Sequence, residues 1–286
     1  MRGSQAPQGS FGGAADHGGG GMSPQFAMPS ITPVVKRILI ATFAIYGLQV
    51  LLGIVAEPAA LTLSAWFSVN PAVWANYKAP ALWQFVTYGF LHGGIGHVFW
   101  NMLQLYFFGT MLEAIIGSRR FVWFYLGAIA LGGMLHLVSE LIGGSYHPVI
   151  GASGGVMGVI VAAAILRPHT RVLLLFIPIS LWVLAAGLVA IDFFSELQNW
   201  KSGTHSYVSH WAHLGGALFG GLLAWRGWIW IDWSERFTKR REEKHVERRQ
   251  GEDVRLDALL AKVHRDGIQS LTNSEREFLN RMSKRH

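Results

Sequence analysis

Apolar runs long enough to cross a membrane recur along this chain, and they restrict its fold more than any other feature. A spanning helix needs about 20 mostly apolar residues. Such runs occupy residues 38–55, 97–116, 121–142, 172–194 and 211–231, the 172–194 run carrying Pro178 inside it. A sixth run, 153–166, is short for a span. A short helix is acceptable in lipid when it is central and shielded by its neighbours, because irregular backbone at membrane depth must be buried in protein or line water. The expected fold is an all-α membrane protein, a bundle of six transmembrane helices with a short central fourth helix.

Charge supports this reading. Only 14% of residues are charged and 51% are hydrophobic, against about 25% charged in a soluble domain. The 233–286 segment holds 14 of the 24 Lys/Arg and 10 of the 17 Asp/Glu. The chain therefore divides into a Gly-rich N-terminal tail (1–34), a membrane domain (35–232) and a charged C-terminal tail (233–286). The first segment lacks the basic-then-apolar layout of a secretory signal and is expected to be disordered, with Met22 and Met28 as alternative starts. The net charge of +7 reads as membrane topology and attraction to lipid headgroups, not as nucleic-acid binding. There is no cysteine, which excludes disulfides, thiol catalysis and thiolate metal sites.

Lys36, Arg37, Arg119, Arg120, Arg167, Arg171 and the basic tail fall on one side of the predicted spans, and Lys78 and Lys201 on the other. By the bias of short-loop cations, both termini are expected in the cytoplasm. Residues 56–96 are dense in aromatic side chains and suit a structure half sunk in the headgroup region. In the tail, residues 239–249 read as a solvated helical extension. Leu256, Leu259, Leu260 and Val263 recur at helical spacing, Gly267 has the place of a C-cap, and Thr272 with Glu275 fits a capping box. A small helical hairpin without catalytic signature is expected there.

Chemistry concentrates at Gly151-Ala152-Ser153-Gly154-Gly155. The string matches the serine-nucleophile pattern of soluble hydrolases, yet it lies between apolar runs. A serine hydroxyl needs a base to take its proton. His213 stands out among the histidines near spans. It is three residues before Gly216, and Gly216 and Gly220 are spaced four apart, the small-residue pattern for close helix packing in membranes. Ser153 opens a run with Gly154, Gly155 and Gly158, so two glycine-rich faces can bring Ser153 and His213 within hydrogen-bond reach. Acyl transfer also needs donors for an oxyanion. The Ser153 amide at a helix start is one. His97 and Asn101, at i and i+4, share a helix face and are polar groups in an apolar helix, a functional hypothesis by default. His92, His136, His210 and Glu113 read as structural groups, and His147 and His205 as solvated. Asp192 lies near the outer end of the fifth run, but nothing in the sequence ties it to His213.

Together, His92-Gly-Gly-Ile-Gly-His97-Val-Phe-Trp-Asn101, the Gly109…Glu113 pair, Gly151-Ala-Ser153-Gly and Ala212-His213-Leu-Gly-Gly216-Ala-Leu-Phe-Gly220 closely resemble the rhomboid intramembrane serine proteases, in order and spacing, over about residues 35–232. The resemblance implies a rhomboid-like six-helix bundle with a Ser–His dyad: Ser153 as nucleophile, His213 as general base, and His97, Asn101 and the Ser153 amide around the oxyanion. It further implies that Gly151 places the loop whose backbone approaches substrate. Many members carry Trp-Arg where this chain has Trp83-Gln84; that Arg is usually structural. The C-terminal hairpin is similar to a tail on some bacterial members, so the expected location is a bacterial inner (cell) membrane. The implied activity is serine endopeptidase hydrolysis of peptide bonds in or near transmembrane segments of protein substrates, without cofactor. The alternative is a catalytically silent rhomboid-like protein that binds membrane clients; silent relatives typically lack the Ser or the His, and this chain has both. No HExxH motif and no His/His/Asp set at ligand spacing appears in the sequence, so no metal is expected. A transporter is disfavoured by the scarcity of charge in the runs and the absence of a visible inverted repeat.

Overall fold

A computed structural model describes residues 30–76, 81–174, 177–202, 208–232, 252 and 254–283. The N-terminal Gly-rich segment through residue 29, His205 and the 239–249 run lie outside the described residues.

The molecule is mostly helical. Helix α1 (Pro33–Val55) starts on a proline, whose missing N–H costs nothing in a first turn. Glu113 completes that start, its carboxylate accepting from Val34 N (3.1 Å), Val35 N (2.9 Å), Thr32 Oγ1 (2.5 Å) and Ser118 Oγ (2.5 Å). One buried carboxylate thus gathers the beginning of α1 and, through Ser118, the corner at Gly117 where one helix ends and the next begins. The sequence reading of Glu113 as structural is met, with helix-start amides as its partners.

The aromatic segment is built of α2 (Glu57–Phe67), α3 (Pro71–Asn76), α4 (Gln84–Thr87) and a 3-10 turn (Tyr88–Phe90). Gln84, wholly buried, accepts from Trp74 Nε1 (2.8 Å) and Asn70 N (3.2 Å) and donates to Trp66 O (3.2 Å). The residue that departs from the common Trp-Arg pair is therefore the hub of this segment.

Helices α5 (Ile95–Gln104) and α6 (Thr110–Ile116) form one continuous run through a π-helical stretch, Leu105–Gly109. Helix α7 (Ser118–Gly143) follows, and then α8 (Ser153–Leu166). Helix α8 is the centre of the molecule: nearly every residue from Gly154 to Ala164 is buried. Its 14 residues rise about 21 Å at 1.5 Å each, short of the ~30 Å hydrocarbon core. Its residue bounds are those expected from the sequence.

The next segment departs from expectation. Residues expected to open the fifth helix form an antiparallel hairpin, β1 (Arg171–Leu174) with β2 (Ile177–Ser180), in which Leu173 pairs with Pro178. Helix α9 (Leu181–Ser202) begins only after it. Pro178 lacks the N–H an interior helical turn requires, and β-branched and aliphatic residues fit a pleated ribbon equally well. Helix α10 (His210–Trp225) is likewise shorter than the expected 211–231 run. It stops where Gly227 takes φ +69°, and a 3-10 turn (Trp228–Trp230) follows.

Among the described residues, three helices are long and apolar enough to cross a membrane: α1, α7 and α9. In the tail, helical residues 254–266 form α11, closed by Gly267 at φ +79°. Helix α12 (Asn273–Ser283) is capped as the Thr272/Glu275 pattern predicts: Glu275 accepts from Thr272 N at 2.7 Å and Glu275 N donates to Thr272 Oγ1 at 3.4 Å. Leu259, Leu271 and Phe278 form its small core; Leu260 is 52% exposed and stands outside it.

Candidate active site

Four helices and one loop supply the side chains of the site. The α8–α10 seam comes first. A methyl group on Gly216 would collide with the Gly154 carbonyl oxygen, and one on Gly220 with the Gly158 carbonyl oxygen. Conversely, a Cβ on Gly158 would lie 2.8 Å from Gly216 O. Backbone therefore packs directly on backbone, the arrangement that small residues spaced four apart allow. On the other flank of α10, a Cβ on Gly215 would sit 2.8 Å from the Gly132 Cα of α7. With α10 so close, His213 Nε2 lies 2.7 Å from Ser153 Oγ. The two side chains expected to meet across the seam do meet.

The loop before α8 is pinned from three directions. Val149 and Val69 exchange backbone bonds (3.0 and 3.1 Å), Gly151 N donates to Tyr88 O (2.9 Å), and Ala152 N donates to His92 Nε2 (3.4 Å). The aromatic segment thus holds the loop that leads into Ser153, and His92 acts as the tie expected of it. Gly151 has φ +127°, and a Cβ there would stand 2.7 Å from the His97 ring. Only glycine suits both the backbone angle and that contact.

His97 and Asn101 line the same cavity as Ser153 and His213, a space of about 1560 Å³ bounded by α5, the 143–152 loop, α9 and α10. Asn101 is buried and its side-chain amide donates to His97 O at 3.0 Å. The first amides of α8, including that of Ser153, have no acceptor within their own helix, and Ser153 lines the same cavity.

Asp192 corrects the sequence reading. Its carboxylate lies 3.0 and 3.1 Å from His213 Nδ1 and 2.7 Å from His210 Nδ1. The chain Ser153–His213–Asp192 has the connectivity of a nucleophile, a base and an orienting carboxylate. No local pattern reveals it, because Asp192 sits on α9, 21 residues before His213, and the contact exists only once α9 and α10 pack. The same contact places His210 on the carboxylate, so a His/His/Asp set absent from the sequence spacing is assembled by the fold. His136 is structural as expected, bonded to His147 O (2.9 Å) and Ser209 Oγ (2.8 Å). Ser209 in turn caps α10 through Ala212 N. His147 is exposed, as expected, with 59% of its side chain accessible, while its backbone N–H donates to Glu140 at 2.9 Å.

A helical membrane chain with a serine, an imidazole and a carboxylate in series is the class that fold and site define. A family profile described as Rhomboid domain matches residues 79–229, more than half the chain. The chain belongs to the rhomboid family. A second profile, a family of unknown function (DUF6576), matches residues 239–285. The chain is 34% identical over 134 residues to the mitochondrial presenilin-associated rhomboid-like protein of Rattus norvegicus, covering 46% of this chain and 34% of that one. It is 28% identical over 183 residues to mitochondrial Rhomboid protein 1 of Saccharomyces cerevisiae, covering 56% and 51%. With the mitochondrial RHOMBOID-like protein 12 of Arabidopsis thaliana it shares 29% over 165 residues, covering 52% and 47%. The chain spans about a third to a half of the length of these curated relatives. Their mitochondrial location, in animal, yeast and plant, overturns the expectation of a bacterial inner membrane.

Proposed function

We propose that this chain is an intramembrane serine endopeptidase that cleaves transmembrane protein substrates. The observation that carries the proposal is the 2.7 Å contact between Ser153 Oγ and His213 Nε2, inside a cavity that reaches the end of a short buried helix. His213 Nε2 takes the Ser153 proton as the hydroxyl attacks a substrate carbonyl, then delivers it to the leaving amine. Asp192 receives His213 Nδ1–H, holding the ring in the tautomer whose Nε2 lone pair faces Ser153. The oxyanion is met by the Ser153 amide with His97 and Asn101, and the missing Cβ of Gly151 leaves room for the His97 ring beside them. Water then hydrolyses the acyl-enzyme.

The membrane unit is read as residues 35–232, with six spans alternating in direction: α1, the α5–α6 run, α7, α8, α9 and α10. The tail from 233 onward is a separate unit. A substrate helix hides its carbonyls in its own hydrogen bonds, so it must unwind locally to present one. The apolar walls of the cavity, Trp100 on α5 and Leu188 and Ile191 on α9, suit an extended apolar segment.

The test compares wild type with Ser153→Ala on a membrane-embedded reporter, with a fluorophosphonate probe in parallel. Wild type is expected to cleave and to label, and Ser153→Ala to do neither. A folded wild-type protein in bilayers that neither cleaves nor labels would refute the proposal.

A further inference from the structure

We propose that Asp192, His210 and His213 form a zinc site whose occupation silences Ser153 by fixing His213 in the wrong tautomer; the silencing rests on the protease reading, the metal site does not. His210 and His213, three apart in the first turn of α10, share one helix face. Both direct the same ring nitrogen, Nδ1, at the Asp192 carboxylate, at 2.7 Å and at 3.0 and 3.1 Å. One ligand atom from each residue lies within 4.8 Å of the others. Two ligands held tetrahedrally on zinc at 2.0–2.1 Å stand about 3.4 Å apart, so the His210 and His213 contacts to Asp192, at 2.7 and 3.0 Å, need to open by only about 0.7 and 0.4 Å.

The donor chemistry also fits. Two imidazoles and one carboxylate are ligands suited to zinc, and three protein ligands leave a fourth position for water. Asp192 and His210 are buried, with side-chain exposures of 8% and 11%, and all three residues line the cavity, which supplies an entry path. The first turn of α10 is already fixed by its Ser209 cap, itself held by His136. The site is thus organised by groups that are not ligands, as metal sites require.

The consequence follows from which nitrogen is engaged. Without metal, Nδ1–H of His213 donates to Asp192 and Nε2 offers Ser153 a lone pair. Zinc takes the Nδ1 lone pair. The proton leaves Nδ1 and a proton is taken up at Nε2 through solvent, so the ring stays neutral and no net proton is released. Nε2–H then donates to Ser153 Oγ and cannot accept its proton. The serine keeps a hydrogen bond and loses its base.

The experiment uses the full chain in detergent micelles, with Co²⁺ as the spectroscopic stand-in for zinc. Ser153→Ala is expected to develop the visible band of four- or five-coordinate cobalt, to lose it when Zn²⁺ is added, and to show none of it once His210→Gln is also present. In the second arm, Zn²⁺ is expected to slow fluorophosphonate labelling of wild type by about a hundredfold or more, the contribution of a general base, with recovery on chelation. Labelling of His210→Gln, each rate taken relative to its own metal-free value, is expected to be insensitive to the same zinc. A cobalt band that survives His210→Gln, or equal zinc sensitivity in both proteins, overturns the proposal. Wild type that never labels refutes the protease reading instead, and the cobalt band in Ser153→Ala still decides the metal site.

Discussion

Asp192 serves two imidazoles with one carboxylate, and its replacement is the most informative single change at the site. Asn in its place keeps the volume but presents an N–H to a ring nitrogen that needs an acceptor. The tautomer facing Ser153 is then lost. In serine hydrolases built on a triad such a change lowers turnover by about 10⁴-fold; here Asp192→Asn is expected to lower the labelling rate by about 10²- to 10⁴-fold, with His213→Ala at least as severe. Wild-type labelling by Asp192→Asn would show that the carboxylate is structural. Asn101→Ala, by contrast, is expected to reduce turnover of the reporter by about 10²- to 10³-fold, as loss of one oxyanion donor does, while part of the probe labelling remains. Loss of all labelling would assign Asn101 to folding. Ser153, His213, His97 and Asn101 were legible in the sequence because each sits in a local pattern, a glycine-rich helix start or an i, i+4 pair, that has a physical meaning by itself. Asp192 was not, since a cross-helix contact leaves no trace in either helix's own periodicity.

At the scale of elements, glycine and one carboxylate decide the packing. A side chain at Gly220 has no room against the Gly158 carbonyl, so Gly220→Leu is expected to separate α8 from α10 and to destabilise by 3 kcal/mol or more, beyond the roughly 1–3 kcal/mol of ordinary overpacking. Thermal scanning in detergent measures this, and labelling should fall with it. Glu113→Ala leaves the buried Val34 and Val35 amides without their acceptor, at about 1–3 kcal/mol each; a melting temperature unchanged from wild type would mean that water or another group replaces the carboxylate. The bounds of α8 were legible because Arg167 and Pro168 end its apolar run abruptly. The β1–β2 hairpin was not: a short, continuous apolar run has the same appearance in a strand and a helix, and the one local signal, Pro178, was compatible with a kink as well as with a break.

For the molecule as a whole, the proposed six-span reading requires helices that alternate between two faces, and the absence of cysteine makes that arrangement directly testable. Single cysteines at Ser145 and Trp200 are expected to react with an impermeant thiol reagent from one face of a sealed vesicle, and those at Arg167 and Gly227 from the opposite face. Reaction of all four from one face would refute the six-span reading. The tail answers to a different variable. The Thr272 N–H, with the Lys262 ammonium, holds the Glu275 carboxyl below its ordinary range. A depressed carboxylate contributes fully above its unfolded value and fades as pH falls through the lower folded one. Amide exchange in α12, corrected for intrinsic rates, is therefore expected to quicken below about pH 4, whereas pH-independent protection would remove Glu275 from the hairpin's stability. The glycine seam between α8 and α10 has a further consequence for how well the site keeps its shape. Glycine weakens a helix in water through the backbone freedom it surrenders, but in lipid the helical state is obligatory before helices associate. The seam has no rotamers to freeze and none to exchange. The spacing of Ser153 and His213 is therefore set by two rigid rods in contact, and it should vary less with temperature than a spacing held by interlocking side chains.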